Sequence, residues 1–170
     1  MISNTTRQVS DTDLDELWPH VLAAMDPQQR AWAAPAAGDP QLARLALPTA
    51  PSAVRGARGF LRDVLAAWAM RELSDDAAIV VSELVTNALQ HGSSPDGGAA
   101  PIDLILSGRD NRLMTVVTNP GHHQPTVTRP GLAAETGRGL LIVEMLSDAW
   151  GWARLPRHQT VVWAVFHPLR

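Results

Sequence analysis

The sequence of 170 residues contains no cysteine and no tyrosine. Without cysteine it can form neither disulfides nor thiolate metal sites. It has no block of Lys and Arg and its formal net charge is −3, so a nucleic-acid partner has no electrostatic support. No apolar run approaches the roughly 18 residues that a membrane span needs, and the polar, acidic N-terminus is unlike a signal peptide. We therefore expect a cytoplasmic protein that binds neither nucleic acid nor membrane.

Hydrophobic residues make up 45% of the chain, which is enough for one domain with a core and some additional sequence. Residues 1–42 are predicted to be an N-terminal extension, and residues 43–170 the domain. In the extension, residues 10–25 have the apolar spacing of a short amphipathic helix, which Pro19 should kink or delay. Residues 26–40 are rich in Pro and Ala and are predicted to be a linker.

The domain has the pattern of an α+β fold. Strand 43–48 is followed by helix 53–70, for which Ser52 is the expected N-cap. A second helix should begin at Ser74, with acidic residues in its first turn, and end at Gly92. A hairpin with the turn "GRDN", a long polar segment, a glycine-led helix and a second hairpin complete the chain. This order predicts a two-layer sandwich, with helices on one face of a mostly antiparallel sheet.

Three polar residues spaced by four, Glu83, Asn87 and His91, interrupt the otherwise apolar helix "VSELVTNALQHG". Four residues advance a helix by about 40°, so the three side chains lie along one edge. An ordinary solvent-facing stripe is one interpretation. The neighbouring Ser82 and Thr86 are uncharged, however, and uncharged polar residues favour a cleft over an open surface.

A second polar signal is the segment "ETGRGLLIVEML", in which Gly137 and Gly139 precede an apolar helix. Backbone N–H groups at a helix N-terminus can bind phosphate oxygens, and glycine permits close approach of the ligand. An ordinary loop-to-helix junction has the same composition. The spacing is neither that of a P-loop nor that of a dinucleotide-binding fingerprint.

Taken in order, "SELVTNALQHG", "VTNPG", "GRGLLIVEMLSDAWG" and "TVVWAVF" resemble the GHKL ATP-binding family of gyrase, histidine kinases and mismatch-repair ATPases. The similarity is closest to the small anti-sigma-factor serine/threonine kinases and their actinobacterial relatives, and it covers about residues 43–168. It implies the histidine-kinase-like ATPase fold, with ATP and Mg²⁺ as cofactors.

The resemblance gives the stripe a role. In this family the Glu at the position of Glu83 orients or deprotonates the attacking hydroxyl or water, and the Asn at the position of Asn87 binds Mg²⁺. An oxygen ligand for Mg²⁺ and a carboxylate one turn away suit phosphoryl transfer. For His91 two interpretations stay open, a contact with the ligand and a cap at the helix C-terminus.

The remaining motif positions are also assigned by resemblance. The second glycine motif, which wraps the phosphates, corresponds to Gly137, Arg138, Gly139 and Leu140, and residues 120–136 correspond to the mobile ATP lid. Thr160 matches a threonine near the adenine, although a threonine in a strand is common without any ligand.

One position departs from the family. Where the family has an Asp that accepts a hydrogen bond from the adenine amino group, this chain has Asn119. Gly121 of that motif is present, but its usual second glycine is replaced within His122–His123. Hydrogen bonds to a charged group are about twice as strong as neutral ones. We therefore expect reduced ATP affinity and reduced selectivity for adenine.

These features predict an ATP-dependent regulatory kinase. It would sequester a sigma factor and phosphorylate a serine on a small antagonist (anti-anti-sigma) protein, and relatives are commonly homodimers. The alternative is a GHKL interaction module with little or no nucleotide turnover, which the substitution at Asn119 favours. A fragment of a sensor histidine kinase is a third interpretation. It is disfavoured because no upstream helix pair carries a phosphoacceptor histidine.

Overall fold

The computed structural model describes residues 11–33, 40–91, 101–119, 125, 138–156 and 159–168. A short 3-10 turn at Arg71–Leu73 precedes α4. The helices and strands are α1 Asp11–Ala24, α2 Pro27–Ala33, β1 Gln41–Leu47, α3 Ser52–Ala67, α4 Ser74–His91, β2 Ile102–Arg109, β3 Arg112–Asn119, α5 Gly139–Leu146, β4 Ala149–Leu155 and β5 Gln159–Phe166.

The five strands form one antiparallel sheet in the order β1-β2-β3-β5-β4. Helices α3, α4 and α5 cover one face of this sheet and bury the main hydrophobic core against it. In α3 the buried positions Ala53, Ala57, Leu61 and Leu65 follow a four-residue spacing, which places them on one side of the helix. The predicted α+β fold, with helices layered on an antiparallel sheet, is confirmed.

The opposite face of the sheet is covered by α1 from the N-terminal extension. Leu17, Val21 and Met25 are buried there in a second cluster. Arg30 of α2 fixes the end of α1, since its Nε donates to the Leu22 carbonyl at 3.1 Å and its Nη2 to that of Met25 at 3.0 Å. The amphipathic helix therefore docks on its own domain. The sheet residues beneath it are Ile105, Met114, Val116, Ala153, Val161, Trp163 and Val165.

The prediction of a linker over 26–40 is wrong for its first half, where Pro27–Ala33 forms α2. Asp26 accepts a hydrogen bond from the backbone N–H of Gln29 at 2.8 Å, and Gln29 Oε1 accepts one from the Asp26 N–H at 3.3 Å. This reciprocal capping box, followed by a proline at the first helical position, is a strong helix start. The high Pro and Ala content of residues 26–40 favoured the prediction of a linker over that of a helix.

Three expected helix boundaries also differ. Helix α1 does not start late at Pro19 but contains it. Ser52 is the first residue of α3 and not its cap; Pro51 holds the cap position without a side-chain hydrogen bond. The helix stops at Ala67 because Ala69 adopts a left-handed φ of 58° and the Met70 N–H turns back to the Leu65 carbonyl at 2.9 Å.

A helix that crosses a bilayer must be long and predominantly apolar. Within the described part of the chain, no helix is both long and apolar enough to cross a bilayer.

The hairpin β2–β3 turns at Asp110 and Asn111, as the "GRDN" motif predicts. Both residues have positive φ, 49° and 59°. Two successive left-handed residues form the turn type whose twist matches antiparallel strands, and Asp and Asn tolerate that conformation. The turn thereby sets the register in which Arg109 pairs with Arg112.

Gly151 on the edge strand β4 lies directly under the ring of Trp163, its cross-strand partner on β5. A Cβ at Gly151 would come within 2.9 Å of Trp163 Cε2, and the tryptophan is only 1% exposed. We expect Gly151→Ala to destabilise the fold by about 1–3 kcal/mol through overpacking. Urea unfolding measures it. Gly59→Ala is the matched control, because nothing lies within 4 Å of its added Cβ, and that change should stabilise α3. Equal effects of the two substitutions would contradict this packing.

Candidate functional site

Helix α4 spans Ser74–His91, as predicted, and carries the polar stripe along one side. Its buried side, which includes Val80, Val81, Leu84, Val85 and Ala88, packs into the main core. Glu83 and Asn87 are half-buried, whereas His91 is exposed at the last turn. The stripe therefore divides into an inner pair and an outer residue. An ordinary solvent-facing stripe does not account for the inner pair.

The hydroxyls of Ser82 and Thr86 are already used within the helix. Ser82 Oγ donates to the Ala78 carbonyl at 2.6 Å, and Thr86 Oγ1 donates to the Ser82 carbonyl at 2.7 Å. Such bonds to the preceding turn satisfy a polar side chain locally. The uncharged character of these two residues is therefore no evidence for a cleft, and the case for a site depends on Glu83 and Asn87.

Gly139, the first residue of α5, lies against that inner pair. A Cβ placed on Gly139 would be 2.8 Å from Glu83 Oε2 and 3.4 Å from both Asn87 Oδ1 and Nδ2. Gly139 has no left-handed φ. The position therefore needs glycine for closeness and not for backbone conformation. Two motifs more than fifty residues apart in the sequence thus meet at one point, as the resemblance implies.

The N-terminus of α5 offers backbone N–H groups beside this point. Arg138 is the N-cap residue, is exposed, and makes no side-chain capping bond. Leu140 is only 7% exposed and belongs to the main core. The side chain of Leu140 therefore anchors the helix, and only its backbone remains to contact a ligand. The first N–H groups of a helix have no partner within the helix and favour anions.

Asn119 and Thr160 form a second pair. They are directly opposite each other at the ends of β3 and β5. Side chains alternate along a strand, so Asn119 shares a face with Leu113 and Val117, which belong to the helix-side core. Asn119 is 8% exposed and Thr160 is 1% exposed. Both are thus buried polar groups on the side of the sheet that α4 covers, where α4 contacts β3 and β5.

The other predicted site residues are Gly121 and Gly137, which lie outside the described residues. So does the predicted lid, 120–136, apart from Pro125. The structure thus brings Glu83, Asn87 and Gly139 together and pairs Asn119 with Thr160. Sequence patterns could place Thr160 in a strand but could not identify its partner, because the cross-strand register is not encoded in local spacing.

Solved structures that share this fold include the following two. One comprises the RsbU and RsbW domains of Rv1364c from Mycobacterium tuberculosis, with a TM-score of 0.58 and 20% identity over 76% of this chain. The match spans only 33% of that chain, about a third of its length. The other is the SiaB–SiaC complex from Pseudomonas aeruginosa, with a TM-score of 0.55 and 17% identity over 72% of this chain and 88% of that one. No curated protein matches the sequence.

The family model of the histidine kinase-like ATPase domain matches residues 47–166, which is most of the chain and includes every strand from β2 to β5. The matched region contains the inner pair on α4, the glycine at the start of α5 and the polar pair at the ends of β3 and β5. The chain therefore belongs to the histidine kinase-like ATPase domain family.

Proposed function

We propose that the protein is an ATP- and Mg²⁺-dependent serine/threonine protein kinase of the anti-sigma-factor type, which phosphorylates a small antagonist protein and sequesters a sigma factor. The observation that carries the proposal is the approach of Gly139 to Glu83 and Asn87. It places a carboxylate, an amide oxygen and a helix N-terminus at one point. Those three groups correspond to a nucleophile-orienting base, an Mg²⁺ ligand and a phosphate site.

The side chains and backbone groups at this point are suited to binding ATP and Mg²⁺. Asn87 Oδ1 is a hard oxygen ligand of the kind that Mg²⁺ prefers, and the missing Cβ of Gly139 lets the N-terminus of α5 lie close to Glu83 and Asn87. Bound ATP would supply the phosphoryl group, and Mg²⁺ would neutralise its developing charge. Arg138, exposed at the start of α5, adds a cation that suits phosphate. Glu83 would orient the hydroxyl of the protein substrate and accept its proton.

The proposal of a protein partner is supported by the solved relatives. SiaB occurs in a complex with SiaC, and RsbW occurs in one chain with RsbU. The resemblance of the motifs to anti-sigma-factor kinases points in the same direction. The proposed clients are an antagonist protein with a phosphorylatable serine and a sigma factor.

The test is a comparison of bound proteins with and without ATP–Mg²⁺. The purified chain is used as bait in extract from the cells that make it, and captured proteins are identified by mass spectrometry. Captured candidates are then purified and incubated with the kinase and labelled ATP. We expect a small protein to acquire phosphate on a serine, and a sigma factor to bind in an ATP-dependent manner. If partners bind but none of them acquires phosphate from labelled ATP, the kinase assignment is contradicted.

Gly139→Ala tests the contact directly. The added Cβ would displace the carboxylate of Glu83, which is the far end of a flexible side chain. The fold should therefore tolerate the change, with Tm altered by no more than about 3 °C. Phosphoryl transfer should fall by about tenfold or more, because small misplacements of a catalytic group are costly. Gly59→Ala, in the open part of α3, is the control. Full transfer activity in Gly139→Ala would show that this contact has no catalytic role.

Asn119 supports a second candidate function, an interaction module with weak or no turnover. A neutral amide can accept from the adenine amino group, but flipped it can donate to O6 of guanine, which an Asp would repel. We therefore expect weak nucleotide binding with poor discrimination between ATP and GTP.

Asn119→Asp should tighten ATP binding by about tenfold, or about 1.4 kcal/mol, and restore selectivity against GTP. Titration calorimetry of parent and variant with both nucleotides measures this effect. If the parent already binds ATP tightly and excludes GTP, another group such as Thr160 supplies the selectivity. If neither protein binds a nucleotide, the interaction module becomes the better account.

A further inference from the structure

The pair of Asn119 and Thr160 continues onto a third strand. Asn119 on β3 is directly opposite Thr160 on β5, and Thr160 is in turn directly opposite Arg154 on the edge strand β4. Directly opposed residues of an antiparallel ladder point to the same face of the sheet. Trp152, two residues before Arg154, packs against the helix-side core, and side chains two residues apart share a face. Asn119, Thr160 and Arg154 therefore form one row on the helix side, which we call the polar row.

Arg154 stands at the open end of the polar row. It is exposed, whereas Asn119 and Thr160 are buried. Within the described part of the chain, the Arg154 side chain makes no hydrogen bond or ion pair. Neighbouring strands are about 4.8 Å apart, so the backbones of Arg154 and Asn119 are about 10 Å apart across the row. A purine base and an arginine side chain together can bridge that separation. Arg154 would therefore flank a base that binds against Asn119 and Thr160.

Arg154 differs from the rest of the polar row in the hydrogen bonds that it can make. The amide of Asn119 and the hydroxyl of Thr160 can each donate or accept, so neither fixes which base the site takes. A guanidinium group only donates, and it keeps its charge. Guanine presents two adjacent acceptors, O6 and N7, which an arginine binds with two hydrogen bonds. Adenine presents N7 beside an amino group, and that donor cannot accept from a guanidinium.

We propose that Arg154 is a specificity-determining residue of the nucleotide site, and that it admits guanine nucleotides alongside ATP. The inference rests on the proposed function, since it requires a nucleotide whose base binds against Asn119 and Thr160. Arg154 donates to O6 and N7 of a bound guanine. Asn119 lacks the negative charge that would repel O6 and so lets this base enter. When ATP binds instead, Arg154 contributes little to the affinity.

The test is calorimetric titration of the full chain and of Arg154→Ala with ATP, GTP and inosine triphosphate, each with Mg²⁺. Inosine triphosphate carries O6 and N7 but not the amino group of guanine, so it isolates the edge that Arg154 contacts. We expect the parent to bind all three nucleotides with similar affinity. Arg154→Ala should bind GTP and inosine triphosphate about tenfold more weakly, because hydrogen bonds from a charged group are lost. Its ATP affinity should change by less than about threefold.

Arg62→Ala, which removes an exposed arginine from α3, is the matched control. It should bind all three nucleotides like the parent, and thermal unfolding should show that both variants are folded.

Three results would overturn the role of Arg154 and leave the proposed function standing. Equal losses of ATP and GTP affinity in Arg154→Ala would indicate a contact with the phosphates instead of the base. Unchanged affinities would leave Arg154 only the protective role that charged residues have on edge strands. A parent that binds ATP but not GTP would show that guanine is not admitted. If the parent binds none of the three nucleotides, the proposed function is overturned and this inference with it.

Discussion

Asn87→Ala is expected to abolish Mg²⁺-dependent ATP binding while the fold survives. Asn87 is half-buried on α4, and its amide lies 3.4 Å from the position of a Cβ on Gly139. Mg²⁺ takes few protein ligands besides phosphate and water oxygens, so the loss of one is not compensated. Calorimetric titration with ATP in the presence and absence of Mg²⁺ measures the effect.

The control for Asn87→Ala is Gln90→Ala, an exposed polar residue on the same helix. It should bind ATP–Mg²⁺ like the parent, and thermal unfolding should show that both variants are folded. Unchanged ATP–Mg²⁺ affinity in a folded Asn87→Ala protein would exclude Asn87 as the metal ligand.

Glu83→Ala should keep nucleotide and partner binding but lose phosphoryl transfer by about 100-fold or more, the typical effect of removing a general base. In the proposed reaction the carboxylate would orient a nucleophile, which is a task of the transition state and not of binding, so kcat should fall while affinity is kept. Transfer of label from ATP to the partner protein measures the rate.

Glu144→Ala, which removes an exposed carboxylate from α5, is the matched control and should transfer phosphate at the parental rate. Equal rates in Glu83→Ala and the parent would show that Glu83 is not the base. A simultaneous loss of ATP affinity would show instead that Glu83 contributes to nucleotide binding.

Much of the domain follows from local sequence signals. The bounds of α4 are marked by acids in its first turn and a glycine after His91, and the β2–β3 turn is marked by Asp110 and Asn111. These features act within a few residues of their own position, through the helix dipole and left-handed backbone conformations. The positions of Glu83 and Asn87 on one helical edge follow from helix periodicity in the same way.

The rest depends on contacts between distant segments. An apolar stripe containing Leu17 and Val21 predicts that α1 needs a covering surface, but not that this surface is the back of its own sheet. The pairing of Asn119 with Thr160 depends on the register between β3 and β5, and the approach of Gly139 to Glu83 on how α5 packs on α4. The Pro and Ala content of residues 26–40 led to a wrong prediction at Pro27–Ala33, where a capping box and a proline at the first helical position start a helix.

We propose that ATP binds where α4, the start of α5 and the ends of β3 and β5 meet. A crystal structure of the full chain with Mg²⁺ and a non-hydrolysable ATP analogue tests it most directly. We expect Asn87 Oδ1 in the coordination sphere of Mg²⁺, phosphate oxygens at the backbone of Gly139, and the adenine beside Asn119 and Thr160. A nucleotide bound elsewhere, or crystals without nucleotide at a saturating concentration of the analogue, would contradict it.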